Sequence, residues 1–296
     1  MLEKQFPGLA GQVAAGLVGE GSECLGLDDA ISRDHDWGAA VCLWLNARDH
    51  RLHGKALQKA LDGLPGCIRG FPVRRESRWA TGRSGVLEIG AFYHRHLGFG
   101  RGPESLLEWL RTDEFRLSAA TNGAVFADPA GEFTAIRNKL LAFYPEDVRL
   151  KKLAARCATI AQSGQYNFPR CVRRKEYVAA AMAEAEFMDS ACSAVFLLNR
   201  RYKPFYKWMH KAMRSLPVLG KDVFDKLSQL PDLTGEKTSI YEKKIDLIEE
   251  IASMLLTELR AQKLSDATGD FLLDHSLSVQ SKIHDATIRK ISIFAG

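Results

Sequence analysis

The chain has 296 residues, of which 46% are hydrophobic and 26% charged, with 24 glycines, 10 prolines and 6 cysteines. These proportions exclude a disordered, collagen-like or coiled-coil chain, and the length suits two domains or one large one. The net charge of +5, from 41 Lys+Arg against 36 Asp+Glu, is mild for this size and does not by itself call for a nucleic-acid partner.

The first residues carry Lys4 as their cationic group and no small-residue cleavage site after a long apolar run. They read as a helix leading into a strand, not as a signal peptide. No stretch reaches about 18 uninterrupted apolar residues, so no membrane span is expected. The cysteines (Cys24, Cys42, Cys67, Cys157, Cys171, Cys192) form no C-x-x-C pair, which argues against a zinc knuckle or a thioredoxin-like site. A reduced, cytoplasmic protein is expected.

An apolar segment ends at Leu17-Val18-Gly19 and runs into Gly21-Ser22. Residues 41–45 have strong strand character. Residues 52–62 carry Leu57 and Leu61 at helical spacing, with Gly63 as a stop. Further strands are expected at 71–75, 85–89 and 123–127, the last closed by a turn at Asp128-Pro129-Ala130-Gly131. Strands interleaved with helices predict an α/β or α+β first domain, residues 1–131.

From residue 132 to 296 the pattern predicts an all-helical domain. Leu150, Leu153, Cys157 and Ile160 share one helical face. Val178, Met182, Ala185, Met188, Cys192, Val195 and Leu198 form a longer apolar stripe, read as core. Residues 215–239, broken by Pro217, Gly220 and Pro231, read as a connector. Ser239 and Glu242 have the spacing of a capping box ahead of a last helix, whose stripe is Ile245, Ile248, Ala252, Leu255 and Leu259.

Chemistry concentrates in GEGSECLGLDDAISRDHDWG, residues 19–38. A small-residue turn at Gly21-Ser22 lets backbone N–H groups approach an anion closely. Asp34 and Asp36, at i and i+2 on an expected strand, would point to one face. Two convergent carboxylates beside a phosphate-cradling turn suit Mg²⁺ held against a nucleoside triphosphate, because Mg²⁺ takes one or two carboxylates plus phosphate oxygens. Taken alone, an acidic pair near a turn is as readily a solvated surface feature.

The Gly-Ser turn followed by D-x-D resembles the core of the DNA polymerase β-type nucleotidyltransferase superfamily, which includes the aminoglycoside nucleotidyltransferases. Gly21-Ser22-Glu23-Cys24-Leu25-Gly26 and Ser32-Arg33-Asp34-His35-Asp36-Trp37-Gly38 resemble an uncharacterised bacterial branch of it. So do Gly123-Ala124-Val125-Phe126-Ala127-Asp128 and the segment from Arg201 through Lys203, Pro204 and Lys207 to Trp208. The likeness covers roughly residues 10–215 and is specific for fold and cofactor, not for the acceptor. It implies an α+β chain, with a mixed-sheet nucleotidyltransferase head and a helical C-terminal domain completing the active-site cleft. It further implies transfer of a nucleoside monophosphate, AMP from ATP by default or another NTP, to a hydroxyl acceptor with release of pyrophosphate. Mg²⁺ or Mn²⁺ would be the cofactor. By position, Gly21 and Ser22 would contact the triphosphate, and Asp34 and Asp36 would ligate the metal. A third carboxylate on a neighbouring strand is assigned to Glu88, with Asp128 in reserve. Lys207 and Arg201 would face the triphosphate or the departing pyrophosphate. A small-molecule acceptor is favoured, with nucleic acid still open. The alternative is a nucleotide-binding sensor or interaction module that kept the fold without turnover.

Other patterns carry less. His94-x-His96 has no acidic or cysteine partner at metal spacing and reads as a surface or core pair. Residues 98–102 are glycine-rich but lack the Lys-Ser/Thr of a P-loop. Arg33 is read as structural. The basic run at 170–175 reads as a solvated helix start.

Overall fold

The computed structural model describes residues 1–33, 36–74, 82–233 and 237–296, and the chain is α+β. It divides into two compact units, Met1–Pro103 with Thr112–Phe143, and Glu104–Arg111 with Tyr144–Gly296. The helix that begins at Glu132 lies in unit 1.

Unit 1 runs through α1 (Leu2–Gln5), β1 (Ala14–Leu17), α2 (Ser22–Leu25), β2 (Cys42–Leu45), α3 (Ala47–Asp62), β3 (Cys67–Ile68), β4 (Phe71–Pro72), β5 (Gly85–Glu88) and α4 (Ile89–Leu97). After α5 (Leu106–Arg111), which belongs to unit 2, come α6 (Glu114–Thr121), β6 (Ala124–Ala127) and α7 (Glu132–Leu141). The main sheet has the order β5-β2-β1-β6, and β3-β4 form a separate two-stranded ribbon. Strand β1 is antiparallel to β2 and β6, whereas β2 and β5 are parallel, so the sheet is mixed.

Alternation along β2 divides its side chains between two apolar layers. Leu43 and Leu45 join Leu9, Val13 and Leu57, the last from α3. Trp44 belongs to an aromatic layer. Its ring stacks on Phe133 at 4.0 Å and meets Phe92 edge-on at 5.5 Å. All four residues of β2 are buried, as a central strand covered on both faces requires. Helix α3 starts where the Asn46 side chain accepts from the Asp49 N–H, and Gly63 follows its last residue.

The expected strand at 71–75 is only two residues long. Val73 makes an isolated bridge to Ala39, and Arg75 lies outside the described residues. The strand expected through Asp36 is also corrected. Asp36 has φ +50, Ile31–Arg33 forms a single 3₁₀ turn, and β2 starts only at Cys42. A left-handed residue interrupts strand geometry, and the chain straightens after it.

Unit 2 is helical among its described residues. It contains α5, α8 (Glu146–Ile160), a π-helical stretch Ala161–Asn167, α9 (Phe168–Arg173), α10 (Tyr177–Leu198), α11 (Tyr206–Met213), α12 (Gly220–Asp232), α13 (Lys237–Ala261), α14 (Leu272–Ser281) and α15 (Ala286–Arg289). Leu150, Leu153, Cys157 and Ile160 of α8 are all buried, as their spacing requires. Lys151 is fully buried on the same helix, and its Nζ donates to Gln280 Oε1 at 2.9 Å and the Ser292 carbonyl at 2.7 Å.

The long stripe on α10 needs revision. Val178 and Met182 are 78% and 70% exposed, and Ala180, Ala183 and Phe187 carry the buried side instead. The helix is apolar on most sides, so spacing alone did not reveal which face the core selects. Residues 215–239 are not a connector, because α12 occupies most of them and buries Val223, Leu227 and Leu230. Gly220 opens that helix, and Pro231 sits in its last turn, where the missing N–H removes one i→i−4 bond. Ser239 lies inside α13 and not ahead of it. Among the described residues, no helix is long and apolar enough to cross a membrane.

Candidate functional site

The sheet register decides which residues meet. Gly16 pairs with Cys42, and Cys42 pairs with Gly85. The end of β1 and the starts of β2 and β5 therefore lie together at one end of the sheet. Gly21-Ser22 follows the first, Asp36 precedes the second and Arg83 precedes the third.

The turn after β1 is anchored from α6 and β6. Gly19 N–H donates to Asn122 Oδ1 at 3.0 Å, and Asn122 Nδ2 donates to the Gly19 carbonyl at 2.7 Å. Gly123 N–H donates to the Cys24 carbonyl at 2.8 Å. Gly123 has φ +61, and a Cβ there would collide with the Leu17 carbonyl, so glycine is required for this approach. Arg137 closes the anchor, donating to the carbonyls of Asn122 and Gly123.

Gly21 caps α2 at φ +144 and ψ +152, a region that is essentially glycine-only. Ser22 is buried, and its hydroxyl donates to Asp28 Oδ1. Asp29 braces the next turn by accepting from the N–H groups of Ile31 and Ser32. Burial, reinforced by the neighbouring Glu23 carboxylate, pushes the Cys24 thiol up to about 12, so Cys24 is protonated and is no nucleophile at neutral pH.

Two arginines stand over this turn. Arg74 Nη2 contacts Glu23 Oε1 at 2.6 Å. Arg83 Nε donates to the Glu20 carbonyl at 3.0 Å, while its Nη atoms lie 3.7 Å from Glu23 Oε1 and 3.8 Å from Asp36 Oδ2. The Asp36 side chain is only 6% exposed. Arg33 stacks over the Trp37 ring at 4.9 Å.

Asp34 lies outside the described residues. Glu88, the expected third carboxylate, lies away from the cluster. It pairs with Leu45 at the far end of β5, three residues or about 10 Å along the strand from Gly85. There its carboxylate caps α4, accepting from the N–H groups of Gly90 and Ala91. Asp128 is likewise at the far end, accepting from Gly131 and Thr134 N–H groups at the entry to α7.

Arg201 and Lys207 belong to unit 2, and both are exposed. Pro204 precedes α11, and the Lys207 ammonium sits over the Trp208 ring at 4.9 Å. In the same segment Lys203 pairs with Asp189.

Among the described residues no three His, Cys, Asp or Glu side chains are grouped to hold a metal. A Mg²⁺ completed by phosphate oxygens needs only one or two protein carboxylates. Asp36 offers one, faced by a cation in its present setting, and this donor fits such a shared site but not an all-protein cage. His94 and His96 form no metal pair: His96 is buried against Phe92, and burial lowers its pKa to about 4.

Residues that sequence reasoning passed over include Arg74, Arg83, Asp28 and Asn122. Their signal is topological, since each reaches the Gly21 turn only through strand pairing or a loop return.

A family model described as Domain of unknown function (DUF4037) matches residues 109–209, roughly a third of the chain. That span includes Asn122, Gly123, Arg201 and Lys207, and it begins after the Gly21–Asp36 region. No curated protein and no solved structure matches the chain.

Proposed function

We propose that the protein is a metal-dependent nucleotidyltransferase that moves a nucleoside monophosphate, AMP from ATP by default, to a hydroxyl acceptor. The observation that carries this reading is the convergence of the Gly21-Ser22 turn, Asp36 and Arg83 at one end of a mixed sheet. In this reaction the acceptor oxygen forms a bond to the α-phosphorus and the bond to the β-phosphate oxygen breaks. Pyrophosphate leaves, and the acceptor proton passes to a base.

Gly21 and Ser22 would orient the triphosphate, and Asp36 with Asp34 would hold Mg²⁺ or Mn²⁺. The metal would supply charge neutralisation at the transferred phosphate. The family resemblance also nominates Arg201 and Lys207 of unit 2 as phosphate-binding residues. A small molecule remains the favoured acceptor.

Incubation with labelled ATP, Mg²⁺ and pooled metabolites should yield a labelled product and pyrophosphate. Asp36→Asn should reduce transfer by at least about a hundredfold with an unchanged melting temperature, since a metal-bound carboxylate is lost. Full activity in that variant would remove Asp36 from the site.

The commitment of Glu88 and Asp128 to helix entries favours a second reading, a nucleotide sensor without turnover. Saturable ATP binding with no product from any acceptor pool would select it.

A further inference from the structure

We propose that Arg74 and Arg83 form a polyphosphate-binding clamp that Glu23 occupies in the absence of ligand, and that an incoming phosphate displaces the Glu23 carboxylate. The ligand class rests on the nucleotide reading above; the clamp itself rests on three observations.

Arg74 is a buried cation with an unmet demand. Its side chain is only 4% exposed, and Glu23 satisfies one terminal nitrogen. Its Nε is buried with no hydrogen-bond partner. A guanidinium offers five N–H donors in a fixed fork, and a buried donor without an acceptor is destabilising. An anion with more oxygens than a carboxylate could meet that demand.

Arg83 converges on the same carboxylate oxygen, Glu23 Oε1, as Arg74 does. At 3.7 Å its terminal nitrogen is too far for a hydrogen bond. Its short bonds go to the Glu20 carbonyl, which fixes the guanidinium over the turn. Two cations thus share one oxygen, whereas a phosphate group presents several and accepts bidentate pairs from both.

The meeting point lies directly over Gly21. A Cβ there would strike both Glu23 carboxylate oxygens and the Arg83 guanidinium. The absent side chain leaves the space in which these charges gather, and the backbone of the proposed triphosphate turn forms its floor. Arg74 and Arg83 are balanced by Glu23 and Asp36 in this state. Glu23 stands on the four-residue α2 with its side chain 18% exposed, so it can swing to solvent as a phosphate enters. The same exchange would draw Arg83 away from Asp36.

Calorimetric titration of the full chain with inorganic tripolyphosphate and with ATP, both in the presence of EDTA, tests the clamp without requiring catalysis. Tripolyphosphate should bind the unaltered chain, and Arg83→Gln should weaken binding at least tenfold. Glu23→Gln should tighten it severalfold, an increase that a purely structural Arg74–Glu23 pair would not produce. Arg74→Lys should weaken binding like Arg83→Gln; should it fail to fold, the Arg83 and Glu23 variants decide. Equal affinity in the Arg83→Gln and unaltered chains overturns the clamp. So does ATP binding without tripolyphosphate binding, which leaves the nucleotide reading standing. Conversely, Arg83-dependent tripolyphosphate binding with no nucleotidyl transfer keeps the clamp and removes the transferase reading.

Discussion

Ionisable side chains taken out of water must find a partner or surrender their charge. Asp36 and Arg74 find partners, the first facing Arg83 and the second facing Glu23. His96 takes the other course. It is 4% exposed beside Phe92, and burial is the main cause of a pKa near 4. An unfolded histidine titrates near 6.5, so between the two values the unfolded chain binds the extra proton. Stability is undiminished above about pH 6.5 and falls as pH drops toward 4, by on the order of 3 kcal/mol in total. Urea unfolding at pH 7 and at pH 4.5 should show a steeper loss for the unaltered chain than for His96→Leu. Equal slopes would mean that His96 is protonated in the folded state.

At the scale of elements, strand direction decided what could be read in advance. The helix over residues 52–62, the strand around 41–45 and the face of Leu150, Leu153, Cys157 and Ile160 follow from local spacing. Glu88 was legible as a strand residue, yet its role depended on β5 running parallel to β2, which no local pattern encodes. The parallel pairing delivers Arg83 to the Gly21 turn and carries Glu88 away from it. Similarly, the two aspartates were legible as a motif, but the left-handed Asp36 turn was not. Val178 and Met182 went astray because α10 is apolar on most sides and only tertiary packing distinguishes them. As a cap on α4, Glu88 should contribute about 1 kcal/mol of stability. Glu88→Ala should lower the melting temperature by a few degrees and leave nucleotide binding within about twofold. Lost binding at an unchanged melting temperature would return Glu88 to the ligand site.

For the molecule as a whole, the course of the chain between its units matters as much as either unit. The polypeptide passes from one to the other at Pro103–Glu104, at Arg111–Thr112 and at Phe143–Tyr144. The short helix α5 is thus a piece of unit 2 spelled within the sequence of unit 1. Its Trp109 is 5% exposed and lies edge-on to Tyr144 at 5.8 Å. Dissection at any one peptide bond therefore cannot yield two intact halves. A chain ended at residue 143 would retain α5 but lose α8, against which that helix packs. Such a fragment should bind more of a hydrophobic dye than one in which residues 104–111 are also replaced by a short Gly-Ser link. Equal dye binding would show that α5 does not need its partner. Heredity carries the same constraint: a gene encoding this arrangement cannot exchange either half by a single recombination, so the two would be inherited as one.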